Sequence, residues 1–466
     1  MSKVNDQNKN SSLKNNSNLL DSDNITTSIL AISFPMMITG FSDALYNMID
    51  SIFVGQFIGE KALAALAINN TIQITLLALA SLYAVGISSI ISRALGAKNY
   101  KKVNETIVNG VFLAFISVTL LSLIILVHLD SILIFMGSSE DVLQYSREYS
   151  QIILWFGFLI PVNNVLGSAL RAKGEVKVIM SLALLGAVLN IVLDALFIIS
   201  FEWGVSGAAW ATILSQTVIL LLLVTKVSEK YHLHFEFHYL KRISKAMVFE
   251  IYSIGIANFL RVFTFALMGL SANKILSNYG AAAVASFGVI NRILHLAYQP
   301  IFGSNLGTQA LIGYSYGANK FAKVNKIIIT SIILATIMGI IPSILLVWAP
   351  VSLFLLFTSS ADIIAFTQEA SRTIGATFFL YGIQIFSTGA LLAMGHPKEA
   401  LFLSVIRPVL MVLFINVLPH FFGIQGVWYT FPVTDTVSTM ITLVIIIREL
   451  KMLKKREDNL KKLAIY

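Results

Sequence analysis

The stretch ITLLALASLYAVGI at residues 74–87 decides the fold. It carries no charged side chain, and its polar and apolar residues do not alternate, as they would in the segments of about ten residues that build a membrane β-barrel. VTLLSLIILV at 118–127 has the same character. In lipid the backbone must satisfy its own hydrogen bonds, so runs of this kind read as membrane-spanning helices.

Outward from 74–87, twelve such runs follow one another, at roughly 25–49, 62–92, 105–127, 149–169, 178–200, 207–225, 251–275, 282–312, 326–349, 366–393, 400–421 and 427–447. At about 20 residues per crossing of a hydrocarbon core of about 30 Å, they use most of the 466 residues, and no large soluble domain fits. Composition agrees: 56% of the residues are hydrophobic and 12% charged, against about 25% charge in a soluble protein. The mean hydropathy is +0.80. The absence of cysteine excludes disulfides, thiolate metal sites and cysteine nucleophiles together. The expected fold class is an all-α polytopic membrane protein with twelve transmembrane helices.

The net charge of +9 is a signal of orientation. Of the 33 Lys and Arg, 26 fall in the amino tail, alternate loops and the carboxyl tail. The opposite loops hold only Lys61, Arg147, Lys274 and Arg372, while Arg261, Arg292 and Arg407 lie within spans. Lys and Arg concentrate on the cytoplasmic side, so both termini are expected in the cytoplasm of a multi-pass protein of the plasma (inner) membrane. The basic loops then face anionic headgroups of the lipid bilayer, and no nucleic acid is expected as a partner.

Sliding the chain against itself until Leu95 falls on Tyr316 brings LGAKNYKKVN (95–104) onto YGANKFAKVN (316–325). The same shift places Gly59 on Gly280, Asn70 on Asn291 and Gly174 on Gly395. Six spans followed by the same six, in the same orientation because six is even, make two parallel six-helix lobes related by an internal repeat. The expected organisation is a disordered, Asn-rich cytoplasmic tail at 1–24, an N-lobe at 25–227, a cytoplasmic linker at 228–250, a C-lobe at 251–448 and a basic cytoplasmic tail at 449–466.

An ionised carboxylate at mid-bilayer costs roughly a few kcal/mol or more, so each needs a partner, a proton or water. Asp43 and Asp50 lie on span 1, Asp194 on span 5 and Asp435 on span 12. Asp43, Tyr46 and Asp50 are spaced three and four apart and share a helical face, as do Asn190 and Asp194. Asn163 and Asn164 follow Pro161 in span 4, and Thr212 lies in span 6. The repeat supplies an internal control: Asp50 shifts onto Ser271, and Asp194 onto the segment from Leu413 to Ile415. Carboxylates present in one lobe and absent from the other point to a specialised ionic site. Oxygen donors without sulfur or clustered histidine suit a hard cation such as Na⁺, or a proton, and the two should compete for one site.

Other polar groups have plainer readings. Arg261, Arg292 and Arg407 are expected to pair structurally or to reach for the interface, and His295 to make a buried polar contact. The histidines of YHLHFEFHYL (231–240) lack a strong metal spacing. Gly303 with Gly307, and Gly313 with Gly317, read as close helix packing. No GxSxG, HExxH or Walker pattern is present, so the chain is not expected to be an enzyme.

With PMMITGFSDALYNMIDSIFVGQFIG (35–59), SRALGAKNYKKVN (92–104), GSALRAKGEVK (167–177) and LNIVLDALFI (189–198), and their echoes in the second half, the chain resembles the multidrug and toxic compound extrusion (MATE) family. The resemblance covers nearly everything after residue 25. It implies a twelve-helix exporter that exchanges Na⁺ or H⁺ for organic, often cationic, compounds. It further implies the DinF-like branch, whose cation site in the first lobe corresponds here to Tyr46, Asp50, Asn164, Asn190, Asp194 and Thr212, with Na⁺ at Asp50, Asn190, Asp194 and Thr212. The acidic residue that the NorM-like branch carries in span 10 is absent from FFLYGIQIFSTGALLAMG (378–395). Asp43, where the family often has Gln, is assigned to substrate binding.

The expected function is thus a secondary antiporter, acting as a monomer on cationic or amphiphilic small molecules, with no cofactor beyond its coupling ion. A lipid or lipid-linked glycan flippase is an alternative within transport, favoured by a long basic groove. An intramembrane aspartyl enzyme is an alternative of another class, disfavoured by the repeat.

Overall fold

Apolar runs that close their own backbone hydrogen bonds dominate the computed structural model, which describes residues 19–231, 244–349, 351–355 and 357–463. Among these residues there is no strand. The main helices are α1 (Ile25–Phe57), α2 (Glu60–Gly96), α3 (Tyr100–Val127), α4 (Glu140–Trp155), α5 (Leu159–Ala172), α6 (Val176–Asp194) and α7 (Gly204–Tyr231). They continue with α8 (Lys245–Leu276), α9 (Ala281–Gly317), α10 (Phe321–Val347), α11 (Ala361–Gly375), α12 (Leu380–Met394), α13 (Pro397–Val417) and α14 (Ile424–Leu463). Ten are long and apolar enough to cross a membrane alone, and the pairs α4/α5 and α11/α12, bent by 45° and 55°, bring the spans to twelve when each is taken as one. The histidine tract at 232–240 lies outside the described residues.

The repeat is visible in the backbone. The bent pairs begin at Glu140 and Ala361, separated by the same shift that carries Leu95 onto Tyr316. Left-handed residues recur at that interval too: Gly59 and Gly280, Lys98 and Asn319, Gly174 and Gly395. At Gly174 and Gly395 this conformation ends a helix, letting the next amide reach back to Leu170 O at 3.0 Å and Leu391 O at 2.9 Å. Pro397, which needs no amide partner, then opens α13.

The chain packs as two compact units, one running to Met37 and resuming at Ile256, the other spanning Ile38–Gly255. The boundaries fall inside α1 and α8 rather than in the loops where the sequence reading placed its lobe ends. Close helix contacts explain why. In the first unit, a Cβ on Gly303 of α9 would meet Met36 O at 2.4 Å, and one on Gly307 would meet the Ile32 side chain at 2.6 Å. In the second, a Cβ on Gly86 of α2 would meet Ile251 O at 2.5 Å, and one on Gly255 would meet Leu82 O at 2.1 Å. Leu82 and Gly86 are the repeat equivalents of Gly303 and Gly307. Each six-helix repeat thus surrenders the opening turns of its leading helix to the other unit, because small residues let two backbones touch there.

Helix is present near both ends of the described chain. Residues 19–21 are helical and Leu20 is buried, so the disordered reading of 1–24 fails for its last residues. Asp21 accepts from Lys320 Nζ at 3.0 Å and from the Tyr314 hydroxyl at 3.1 Å. Burial alone would raise its pKa, but the hydrogen bonds and charges of Lys320, Tyr314 and Lys323 outweigh this and hold its carboxyl below the usual range. At the other end α14 runs on to Leu463 instead of stopping near 447. Its extension is anchored by Glu449, which pairs with His396 at 3.0 Å, and by Arg456, which donates to the Tyr316 hydroxyl at 2.5 Å.

Candidate functional site

Within the unit Ile38–Gly255, Asp50 on α1, and Asn190 and Asp194 on α6, are all buried, at 8%, 2% and 0% exposure. Asp194 is the last α-helical residue of its span. From Ala195 to Ser200 the chain winds as a π-helix, in which Phe201 N reaches back to Leu196 O at 3.0 Å. Such insertions are rare and concentrate at functional positions.

Two residues that the sequence reading missed join the carboxylates. Tyr149 on α4 accepts from Gln73 Nε2 of α2 at 2.9 Å. Its hydroxyl lies within electrostatic reach of Asp50, Tyr46 and Asp194, and Asp194 is within reach of Asp50. Side chains from α1, α2, α4 and α6 of one unit therefore converge here. One turn away, Asn69 donates to Ser146 O at 3.2 Å and accepts from the Ser150 hydroxyl, which ties α2 to α4. The spacing of Asn69, Gln73, Ser146, Tyr149 and Ser150, three or four apart on two neighbouring spans, was the available signal.

The unit contains oxygens left over. Asp50 Oδ1, both Asp194 oxygens and Asn190 Oδ1 are buried with no hydrogen-bond partner. Orphaned acceptors are costly in a low-dielectric interior, and a proton or a small hard cation is the chemistry that satisfies them. Among the described residues no group of three or more His, Asp or Glu assembles into a metal cluster; the donors here are two carboxylates and an amide.

The remaining expected residues stand as follows. Asn164 turns its amide nitrogen back to Ile160 O of its own helix at 2.9 Å. It is its neighbour Asn163 that reaches α7, donating to Gln216 Oε1 at 2.7 Å. Thr212 is half-buried on α7, and its carbonyl accepts from Ser215. Asp43 is exposed on α1, on the same helix as buried Asp50.

In the other unit, Arg407 Nε donates to Asp435 Oδ1 at 2.7 Å, both side chains being nearly inaccessible. Gln384 of α12 donates to Asp435 O and to Thr439, and the Arg407 guanidinium stands over the Tyr381 ring at 5.0 Å. The structural pairing expected of Arg407 is therefore present, with Asp435 as its partner. Arg292 and His295 are exposed on α9, His295 having Gln299 Nε2 at 3.4 Å, which corrects the expected buried contact.

A family model for MatE matches this chain twice, at residues 35–196 and 257–418. The chain belongs to the MatE family. The two matched segments cover most of the chain, and their spacing restates the repeat seen in the backbone. Among curated relatives, multidrug export protein MepA of Staphylococcus haemolyticus is 28% identical over 91% of this chain and 93% of its own. MepA of Staphylococcus aureus strain MSSA476 is 26% identical over 90% and 92%. Among solved structures, an outward-facing multidrug resistance MATE transporter of the MOP superfamily superposes with a TM-score of 0.86 at 28% identity, covering 94% of this chain and 98% of that one. MatE membership makes this chain a multi-pass membrane transporter and not an enzyme.

Proposed function

We propose that this MatE-family transporter exports organic, often cationic or amphiphilic, compounds in exchange for H⁺ or Na⁺. The observation that carries the reading is the set of orphaned oxygens on Asp50, Asn190 and Asp194. A coupling ion occupies them in one stage of the cycle and leaves in the next, with Tyr46, Gln73 and Tyr149 holding the surrounding geometry. Their restriction to the first repeat supports the DinF-like branch. The export role draws on the MepA relatives, which are multidrug export proteins, and the partition of Lys and Arg supports cytoplasmic termini in the plasma membrane. The protein acts as a monomer, since the internal repeat already supplies two copies of the six-helix plan in one chain. A flippase is disfavoured because Arg407 is spent on Asp435, which leaves still fewer charges for a basic groove.

The test is efflux of a fluorescent organic cation from proteoliposomes under Na⁺ and H⁺ gradients imposed separately. Efflux driven by at least one gradient is expected. Transport that ignores both, or turnover of lipid in their absence, overturns the antiport reading.

A further inference from the structure

Two of the span arginines in the unit that resumes at Ile256, Arg407 and Arg261, are in unequal states. Arg407 is neutralised by Asp435 at 2.7 Å. Arg261, on α8, has no carboxylate partner among the described residues. Its Nε and Nη2 donate to Asn258 Oδ1 of its own helix at 3.2 and 2.6 Å, its guanidinium lies over the Phe302 ring at 4.8 Å, and the Tyr381 hydroxyl stands beside it. Every one of these neighbours is neutral. Arginine stays charged in proteins, and an unneutralised charge within a membrane marks a functional position by default.

We propose that Arg261, with Phe302, Tyr298 and Tyr381, forms a subsite that takes the carboxylate of an aromatic organic acid. Asn258 fixes one side of the guanidinium fork, which orients the remaining donors for the paired hydrogen bonds that a carboxylate accepts. The surroundings are aromatic. Tyr298 stands 4.3 Å from Tyr381 and 4.9 Å from Phe378, centroid to centroid, so one aromatic wall runs between the two arginines. A single unpaired guanidinium matches one negative charge, and the aromatic wall matches an apolar body attached to it. This goes beyond cation-coupled export: an acidic group has its own place in the unit that lacks the Asp50 and Asp194 carboxylates.

The experiment measures equilibrium binding of 2-naphthoate and of its uncharged amide, 2-naphthamide, to the purified full chain in detergent, by calorimetry. Naphthoate is expected to bind about tenfold or more tightly than the amide, from its charge-assisted contacts. Arg261→Gln should abolish that preference while leaving amide binding in place, which a merely structural role for Arg261 would not do. Should Arg261→Gln fail to fold, Arg261→Lys serves, since it keeps the charge, loses the fork and should reduce the preference several-fold. Equal binding of the two probes, binding of neither, or a preference unchanged in these variants overturns the proposal. The measurement uses no ion gradient, so its failure leaves the coupling reading standing, and failure of coupling leaves this one standing.

Discussion

Ile415 lies in the segment of the second repeat onto which Asp194 shifts, and the surroundings of the two residues are opposite. Asp194 ends an α-helix at a π-helical turn with both carboxylate oxygens unpartnered. Ile415 lies inside regular α13, fully buried in a hydrophobic cluster with Phe287, Met411 and Trp428. One backbone plan therefore carries an ionic site in one copy and an apolar core in the other.

This contrast sets the first prediction. Asp50→Asn and Asp194→Asn should each reduce coupled efflux more than about tenfold, the scale of losing a charged contact. Ser271→Ala and Ile415→Val, in the corresponding segments of the second repeat, should stay within about twofold. Efflux from proteoliposomes at matched expression decides, and near-normal transport by either Asn variant would end the shared-site reading.

Protonation of a carboxylate removes the charge that attracts a cation. Na⁺ and H⁺ should therefore compete, and Na⁺ affinity should weaken as pH falls from about 8 to about 5, because proton binding and ion binding are linked through the same oxygens. Equilibrium binding of radioactive Na⁺ across that range should show the decline in the native protein, and a different pH profile in Asp50→Asn or Asp194→Asn. Detectable binding that ignores pH would remove both carboxylates from the site.

The pairing of Arg407 with Asp435 predicts a non-additive result. Removing one partner from a buried ion pair costs about 3–5 kcal/mol, whereas removing both is often far milder. Arg407→Leu and Asp435→Leu should each lower the thermal unfolding midpoint in detergent, and the double variant should recover much of the loss. Additive losses would show that the pair is not coupled.

Orientation is testable because the chain has no cysteine of its own. Lys101 and Glu140 are both exposed, at opposite ends of the span built on α3. A membrane-impermeant thiol reagent applied to intact cells should label Glu140→Cys and leave Lys101→Cys unmodified until the membrane is opened. The reverse pattern would invert the topology.

Hydropathy, the distribution of Lys and Arg and the constant offset between the two copies were enough to read a twelve-span helical membrane protein with an internal repeat. Each is a one-dimensional signal: lipid demands length and apolarity from every segment separately, and duplication leaves its period in the chain. Asp50 and Asp194 were legible for the same reason, since a carboxylate in an apolar run stands out without a fold. Tyr149 and Gln73 did not stand out, because a tyrosine or glutamine in a span is tolerable alone and acquires meaning only from what another helix places beside it. The division of α1 and α8 between two units was likewise invisible, as it depends on Gly303 and Gly307 meeting Met36 and Ile32, and on Gly86 and Gly255 meeting Ile251 and Leu82. The pairing of Arg407 with Asp435, and the lack of a carboxylate partner for Arg261 among the described residues, were also decided only by tertiary structure, because 28 residues of chain separate the first pair and no local spacing records which charge a folded neighbour will neutralise.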